Sequence, residues 1–93
     1  MIDSGQTLKQ IIKSLGNKNY ARIEFKSKYR QNGKMFDTFF GACSYENGEL
    51  IPLDGDTYSL EDRYDEYKEY KNKFGQICLT VWEYIPESED DLW

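Results

Sequence analysis

Residues 20–45, YARIEFKSKYRQNGKMFDTFFGACSY, decide the fold. Ala21, Ile23, Phe25, Ser27 and Tyr29 share one parity, and Arg22, Glu24, Lys26, Lys28 and Arg30 share the other. A period of two is that of a strand with one face buried and the other, here basic, in water. Asn32-Gly33 follows, a dipeptide that tolerates the left-handed backbone of a tight hairpin turn. Residues 35–45 are then the return strand. Gly41 in its middle marks a bulge or a close backbone approach.

Outward from this hairpin the chain repeats the device. Asn47-Gly48 turns it into Leu50–Leu53, and Pro52, which cannot donate to a ladder, belongs at an edge or a strand end. The spacing predicts a three-stranded antiparallel meander. Upstream, Leu8, Ile11, Ile12 and Leu15 fall at i, i+3, i+4 and i+7, one stripe of a helix over 7–15. Thr7 caps its start and Gly16 stops it. Downstream, residues 77–85 (ICLTVWEYI) carry large apolar groups on both parities, as an interior strand does.

The segment between is ambiguous. Ser59-Leu60-Glu61-Asp62 resembles a capping box, and Leu60, Tyr64 and Tyr67 lie at i, i+4 and i+7. A helix over 60–72 is expected; the alternative is a strand over 64–71 that hairpins at Lys73–Gln76 into the next. Pro86 ends the last strand and ESEDDLW (87–93) is an acidic tail. The expected architecture is one α+β domain over 1–86: an N-terminal helix packed on a four- to five-stranded antiparallel sheet, with a second helix near 60–72. Its expected core is Leu8, Ile11, Ile12, Leu15, Ile23, Phe25, Phe39, Leu53, Leu79 and Val81.

Charge is sorted along the chain. Residues 1–34 hold eight Lys/Arg against two acids, a net of +6, and residues 35–93 hold four against fifteen, a net of −11. The whole is −5. An acidic surface repels nucleic acid and attracts basic protein. With no histidine, the commonest general base and the commonest zinc ligand are missing. No stretch approaches the roughly 18 apolar residues of a membrane span, and MIDSGQTLKQ has no signal-peptide core. The chain reads as cytoplasmic, non-enzymatic and without a cofactor. Cys43 and Cys78 read as buried thiols in a reducing compartment; a disulfide is the alternative, if two strands bring them together.

Four constellations could carry chemistry. Asp54 and Asp56 in DGDTYSLED fit two positions of a calcium loop, but Tyr58, Ser59 and Asp65 stand where a ligand, glycine and glutamate are needed, so a turn is expected and no metal. A carboxylate pair for acid–base work has no feature that would bury one partner. The basic strand, Arg22, Lys26, Lys28 and Arg30 with Tyr20 and Tyr29, has the residue types that hold single-stranded nucleic acid. The acidic set is the fourth: Asp54, Asp56, Glu61, Asp62, Asp65, Glu66 and Glu69, extended by Glu83, Glu87, Glu89, Asp90 and Asp91. Tyr58, Tyr64, Tyr67, Tyr70, Trp82 and the terminal Trp93 supply rigid anchors beside it.

Gly41–Asp62, GACSYENGELIPLDGDTYSLED, followed by LTVWE (Leu79–Glu83), resembles small acidic proteins of Gram-positive mobile elements: phages, plasmids and conjugative transposons. The resemblance covers about half the chain. It implies a mobile-element setting, in which small acidic proteins often inhibit host nucleic-acid enzymes, as anti-CRISPR and anti-restriction proteins do by charge mimicry. The expected function is therefore a protein-binding inhibitor that presents an acidic, Tyr-rich surface to a basic groove, with a Cas nuclease as the best single partner. The contact residues expected are Asp54, Asp56, Glu61, Asp62, Asp65, Glu66, Tyr67, Glu69, Tyr70 and Trp93. The alternative is a nucleic-acid-binding accessory protein using strand 22–30.

Overall fold

The computed structural model describes residues 5–53, 55 and 57–85. Its centre is the hairpin that the alternation predicts: β2 (Tyr20–Gln31) pairs antiparallel with β3 (Lys34–Glu46). Asn32 and Gly33 both have positive φ, 53° and 79°, the two successive left-handed residues of a turn whose twist matches the strands. Asn47 and Gly48 repeat this into β4 (Glu49–Pro52) at the sheet edge, where Pro52 closes the strand.

The helix α1 (Leu8–Ser14) also forms as the stripe predicts. Thr7 accepts from the Gln10 N–H while the Gln10 side chain accepts from the Thr7 N–H, a reciprocal cap. Just before it, β1 (Gln6–Thr7) pairs with the two-residue β5 (Arg63–Tyr64). Gly5 is required there, because a Cβ would sit 2.6 Å from the Tyr64 carbonyl oxygen.

Residues 60–72 are not a helix. Leu60 and Glu61 form a turn, β5 follows, and β6 (Glu66–Lys71) hairpins into β7 (Ile77–Tyr84). Leu60 and Tyr64 do reach the core, as the helical spacing asked, but from a crossing segment. The sheet order is β4-β3-β2-β7-β6. It is mixed rather than antiparallel, because β7 runs parallel to β2. Direction follows from the reversals. β3 runs against β2 and β4 with it. Residues 53–65 then carry the chain across to the opposite edge, where β6 runs against β2 and its hairpin partner β7 with it.

One face of the sheet carries the core. Leu8, Ile11 and Ile12 of α1 join Ile23, Phe25, Cys43, Leu79, Val81, Tyr20, Tyr45 and Tyr64 in one buried cluster. Leu15 packs at its margin. Two expected members are absent. Phe39 is 49% exposed and Leu53 52% exposed. The pairing steps from Phe25–Gly41 to Lys26–Phe39, so Phe40 is an extra residue and Phe39 turns to the opposite face. Leu53 lies just past the end of an edge strand. A second irregularity between Tyr20 and Ile23 gives Tyr20 the buried place and leaves Ala21 exposed. Cys43 and Cys78 are buried free thiols. Cys43 is opposite Ile23 and Cys78 opposite Arg22, so they occupy different faces with β2 between them.

Beyond Lys28 the hairpin outruns its neighbours. β7 pairs with β2 only from Arg22 to Lys28, and β4 pairs with β3 only from Cys43 to Glu46. Among the described residues, 29–36 are thus a two-stranded arm, and everything from Gln31 to Phe40 is exposed.

Candidate functional site

The acidic set does not share one surface. Asp54, Asp56 and Trp93 lie outside the described residues, as do the tail acids and Pro86. Glu61 is exposed in the turn, its N–H donating to the Ser59 hydroxyl. Asp65 joins β5 to β6; its carboxylate accepts from the Tyr84 N–H at 2.8 Å, and its own N–H donates to the Trp82 carbonyl. Glu66 and Glu69 point to opposite faces of β6. Glu69, on the core side, accepts from Lys18 at 3.1 Å and the Tyr20 hydroxyl at 2.9 Å. Glu66, on the far side, accepts from Lys28 at 2.9 Å and from the Tyr84 hydroxyl. These donors hold both carboxyls below the ordinary carboxylate range. Tyr67 is exposed on the core-side parity, and Tyr70 is half-buried opposite Cys78, where burial raises its phenol pKa. Asp62, Asp65 and Glu69, which a helix would have aligned, diverge on a turn and a strand.

The basic strand face is occupied by its own chain. Arg22 pairs with Glu24 at 2.9 Å and sits 5.6 Å over the Phe39 ring. Lys26 and Lys28 lie 5.9 and 5.0 Å over the Trp82 ring, and Lys28 also meets the Tyr84 ring and Glu66. The Trp82 indole N–H donates to Asp37. Among the described residues this face holds five cations (Arg22, Lys26, Lys28, Arg30 and Lys68) and five carboxylates (Glu24, Asp37, Glu46, Glu49 and Glu66).

One acidic residue of the expected set does enter a cavity. Past the reach of α1, the core side of the sheet opens into a cleft of about 490 Å³. Phe40, the extra residue of the bulge, lines one part of it. Thr57, Tyr58, Asp62, Arg63 and Tyr64 line another, and Glu83 of β7 a third. Phe25 is the hub below: its ring centroid is 4.4 Å from Tyr58, 5.6 Å from Tyr64 and 6.2 Å from Phe40. The crossing segment is pinned by its backbone, since the Leu8 N–H donates to the Asp62 carbonyl and the Lys9 N–H to the Leu60 carbonyl.

Two carboxylates face this aromatic lining. Glu83 accepts from the Ser27 hydroxyl through one oxygen at 3.0 Å. Among the described residues nothing donates to the Asp62 side chain. Burial first, then the fields of Asp62 and Glu83, push the Tyr64 phenol far above its ordinary value, so it stays neutral. The Arg63 guanidinium donates to the Gly5 carbonyl at 2.7 Å. Among the described residues no group of three or more His, Cys, Asp or Glu is arranged to hold a metal. No described helix is long and apolar enough to cross a membrane.

Asp62, Tyr58 and Tyr64 were legible as members of an acidic, Tyr-rich stretch, and Glu83 as an outlying acid. Phe40, Thr57 and Arg63 were not. The one trace of Phe40 is Gly41 beside it, since a glycine in a strand marks a bulge. Compared with protein families, curated proteins and solved structures, the chain matches none.

Proposed function

We propose that this chain is a non-enzymatic protein-binding module that meets a basic protein surface through the acidic, aromatic cleft beside the β2–β3 arm. The observation that carries the reading is the pair Asp62 and Glu83 at a cavity that Phe40, Tyr58 and Tyr64 also line. Aromatic side chains give contact area at low entropic cost, and carboxylates select cationic partners. The arm adds Phe36, exposed on the same side of the sheet as the cleft, as further apolar contact area, whereas Met35 and Phe39 are exposed on the opposite face. A net charge of −5 steers the whole molecule toward basic surfaces.

The specific form of this reading is an inhibitor of a host nucleic-acid enzyme, of the anti-CRISPR or anti-restriction kind. The basic groove of such an enzyme, a Cas nuclease for example, is dense in Arg and Lys because it neutralises phosphates. The contact surface differs from the stretch expected from charge alone. Glu66, Glu69 and Asp65 have internal donors and do not line the cleft, whereas Asp62 and Glu83, the latter also accepting from Ser27, do. Direct nucleic-acid binding is disfavoured by the pairing of Lys28 with Glu66 and Arg22 with Glu24 and by the rings already covered by Lys26 and Lys28.

Affinity capture from cells tests it, with wild type, a Glu83→Lys variant and an Asp62→Lys variant compared after nuclease treatment. A basic protein retained by the wild type and lost by both folded variants is expected. Capture that nuclease abolishes, or that both charge reversals leave unchanged, would overturn it.

A further inference from the structure

We infer that the cleft is a receptor for a single guanidinium group, the side chain of one arginine presented by the partner. The inference deepens the proposed protein-binding function and rests on it. Three observations converge. The cavity, about 490 Å³, lies in the range that admits a long side chain together with some water. Its rings are held in place, because Tyr58 stacks on Phe25 at 4.4 Å with 9° between planes and Tyr64 packs on the same ring. Its carboxylates come from different elements, Asp62 from the crossing segment and Glu83 from the end of β7.

A guanidinium suits this chemistry better than an ammonium. It is planar, so it can lie against an aromatic face while its N–H groups reach carboxylates at its edge. It is also less strongly hydrated, which lowers the cost of leaving water for a cleft that Phe40, Tyr58 and Tyr64 help to line. The chain's own Arg63 also lines the cleft, and its guanidinium donates to the Gly5 carbonyl. The lining therefore has two carboxylates against one cation, and it favours a second cation from outside.

The probe is N-acetyl-arginine amide, titrated into the isotopically labelled chain and followed by two-dimensional NMR. The controls are the citrulline analogue, which keeps the shape without the charge, and the lysine analogue. Saturable shifts at Phe40, Tyr58, Asp62 and Glu83 are expected with arginine, weaker ones with lysine and none with citrulline. Asp62→Asn should weaken binding roughly tenfold, as loss of a charged hydrogen bond does. Phe40→Ala should weaken it about threefold, as loss of one ring does. Unchanged melting temperatures verify that both variants fold. Citrulline binding equal to arginine, shifts confined to other residues, or folded variants that bind as well as wild type would each overturn the inference. An arginine-rich peptide that binds without moving these resonances would overturn the receptor and leave the protein-binding function. A chain that binds neither probe would overturn both.

Discussion

The two ends of one hairpin behave as different materials. At its root, Ile23 and Phe25 of β2 face Cys43 and Gly41 of β3 beneath α1, and all are buried. At its arm, the same two strands continue as Tyr29–Gln31 and Lys34–Phe36 with no third strand beside them among the described residues. There Tyr29 stacks on Phe36 at 5.6 Å, yet Phe36 is exposed. Pairing and alternation persist from one end to the other; only the covering layer stops. Burial, not strand formation, therefore separates the part that holds the fold from the part that is exposed.

Deleting one ring from each end separates the contributions of root and arm. Phe25→Ala should cost about 3–5 kcal/mol, because it empties a fully buried site and withdraws the hub from Tyr58 and Tyr64. Phe36→Ala on the arm should change stability by no more than about 0.5 kcal/mol. Denaturant midpoints measure both. Equal losses at the two sites would mean that the arm is part of the cooperative core.

The next effect lies where the N-terminus meets the crossing segment. Gly5→Ala places a methyl 2.6 Å from a backbone oxygen that cannot move without shifting β5. A loss of about 1–3 kcal/mol is expected, as for other overpacked sites. Thr7→Ala removes the helix cap and should cost about 1 kcal/mol. Both should also disturb the cleft, because β1 and β5 position Arg63 and Tyr64. Thermal unfolding reads the first consequence and NMR shifts at Tyr64 the second.

How far the sequence foretold this fold follows from where the burial contrast lies. The root of the hairpin was legible because Ile23 and Phe25 alternate with charged residues, and both Asn-Gly turns because few other dipeptides accept two positive φ values. The helix was legible from a stripe and a cap. The 60–72 segment was not. On β6 each parity holds one tyrosine among charges, Tyr67 on one and Tyr70 on the other, as suits an edge strand with little to bury. Period two then leaves no trace, while Leu60, Tyr64 and Tyr67 imitate a helical stripe. The parallel pairing of β2 with β7 was hidden for another reason. It depends on the crossing of residues 53–65, which no local pattern encodes. The cleft gathers residue 40, residues 57–64 and residue 83, so no window of sequence contains it.

The smallest effect concerns pH and samples both regions. Glu69 is held by Lys18 and Tyr20 near the root, and Glu66 by Tyr84 and Lys28 where the arm begins. Both carboxyls are lowered in the folded state, so their contribution is present above the ordinary glutamate value of about 4.3 and is lost as pH falls through the lowered values. Both groups are partly solvated, with side chains 30% and 38% exposed, so each contribution should stay below about 1 kcal/mol. A Glu66→Gln, Glu69→Gln double variant should be less stable than wild type at pH 7. The gap should close as pH drops below about 4. A gap that widens in acid would contradict the assignment of these pairs.

Fluorescence anisotropy with two labelled probes, an arginine-rich peptide and a single-stranded oligonucleotide, separates a protein-binding cleft from a nucleic-acid-binding face. The acidic, aromatic cleft predicts that the peptide binds at about 0.1 M salt and weakens steeply toward 1 M, as the screening length shortens from about 10 Å to about 3 Å. The oligonucleotide should stay free throughout. Binding of the oligonucleotide with no response to the peptide would contradict the claim and move the function to the basic face of β2.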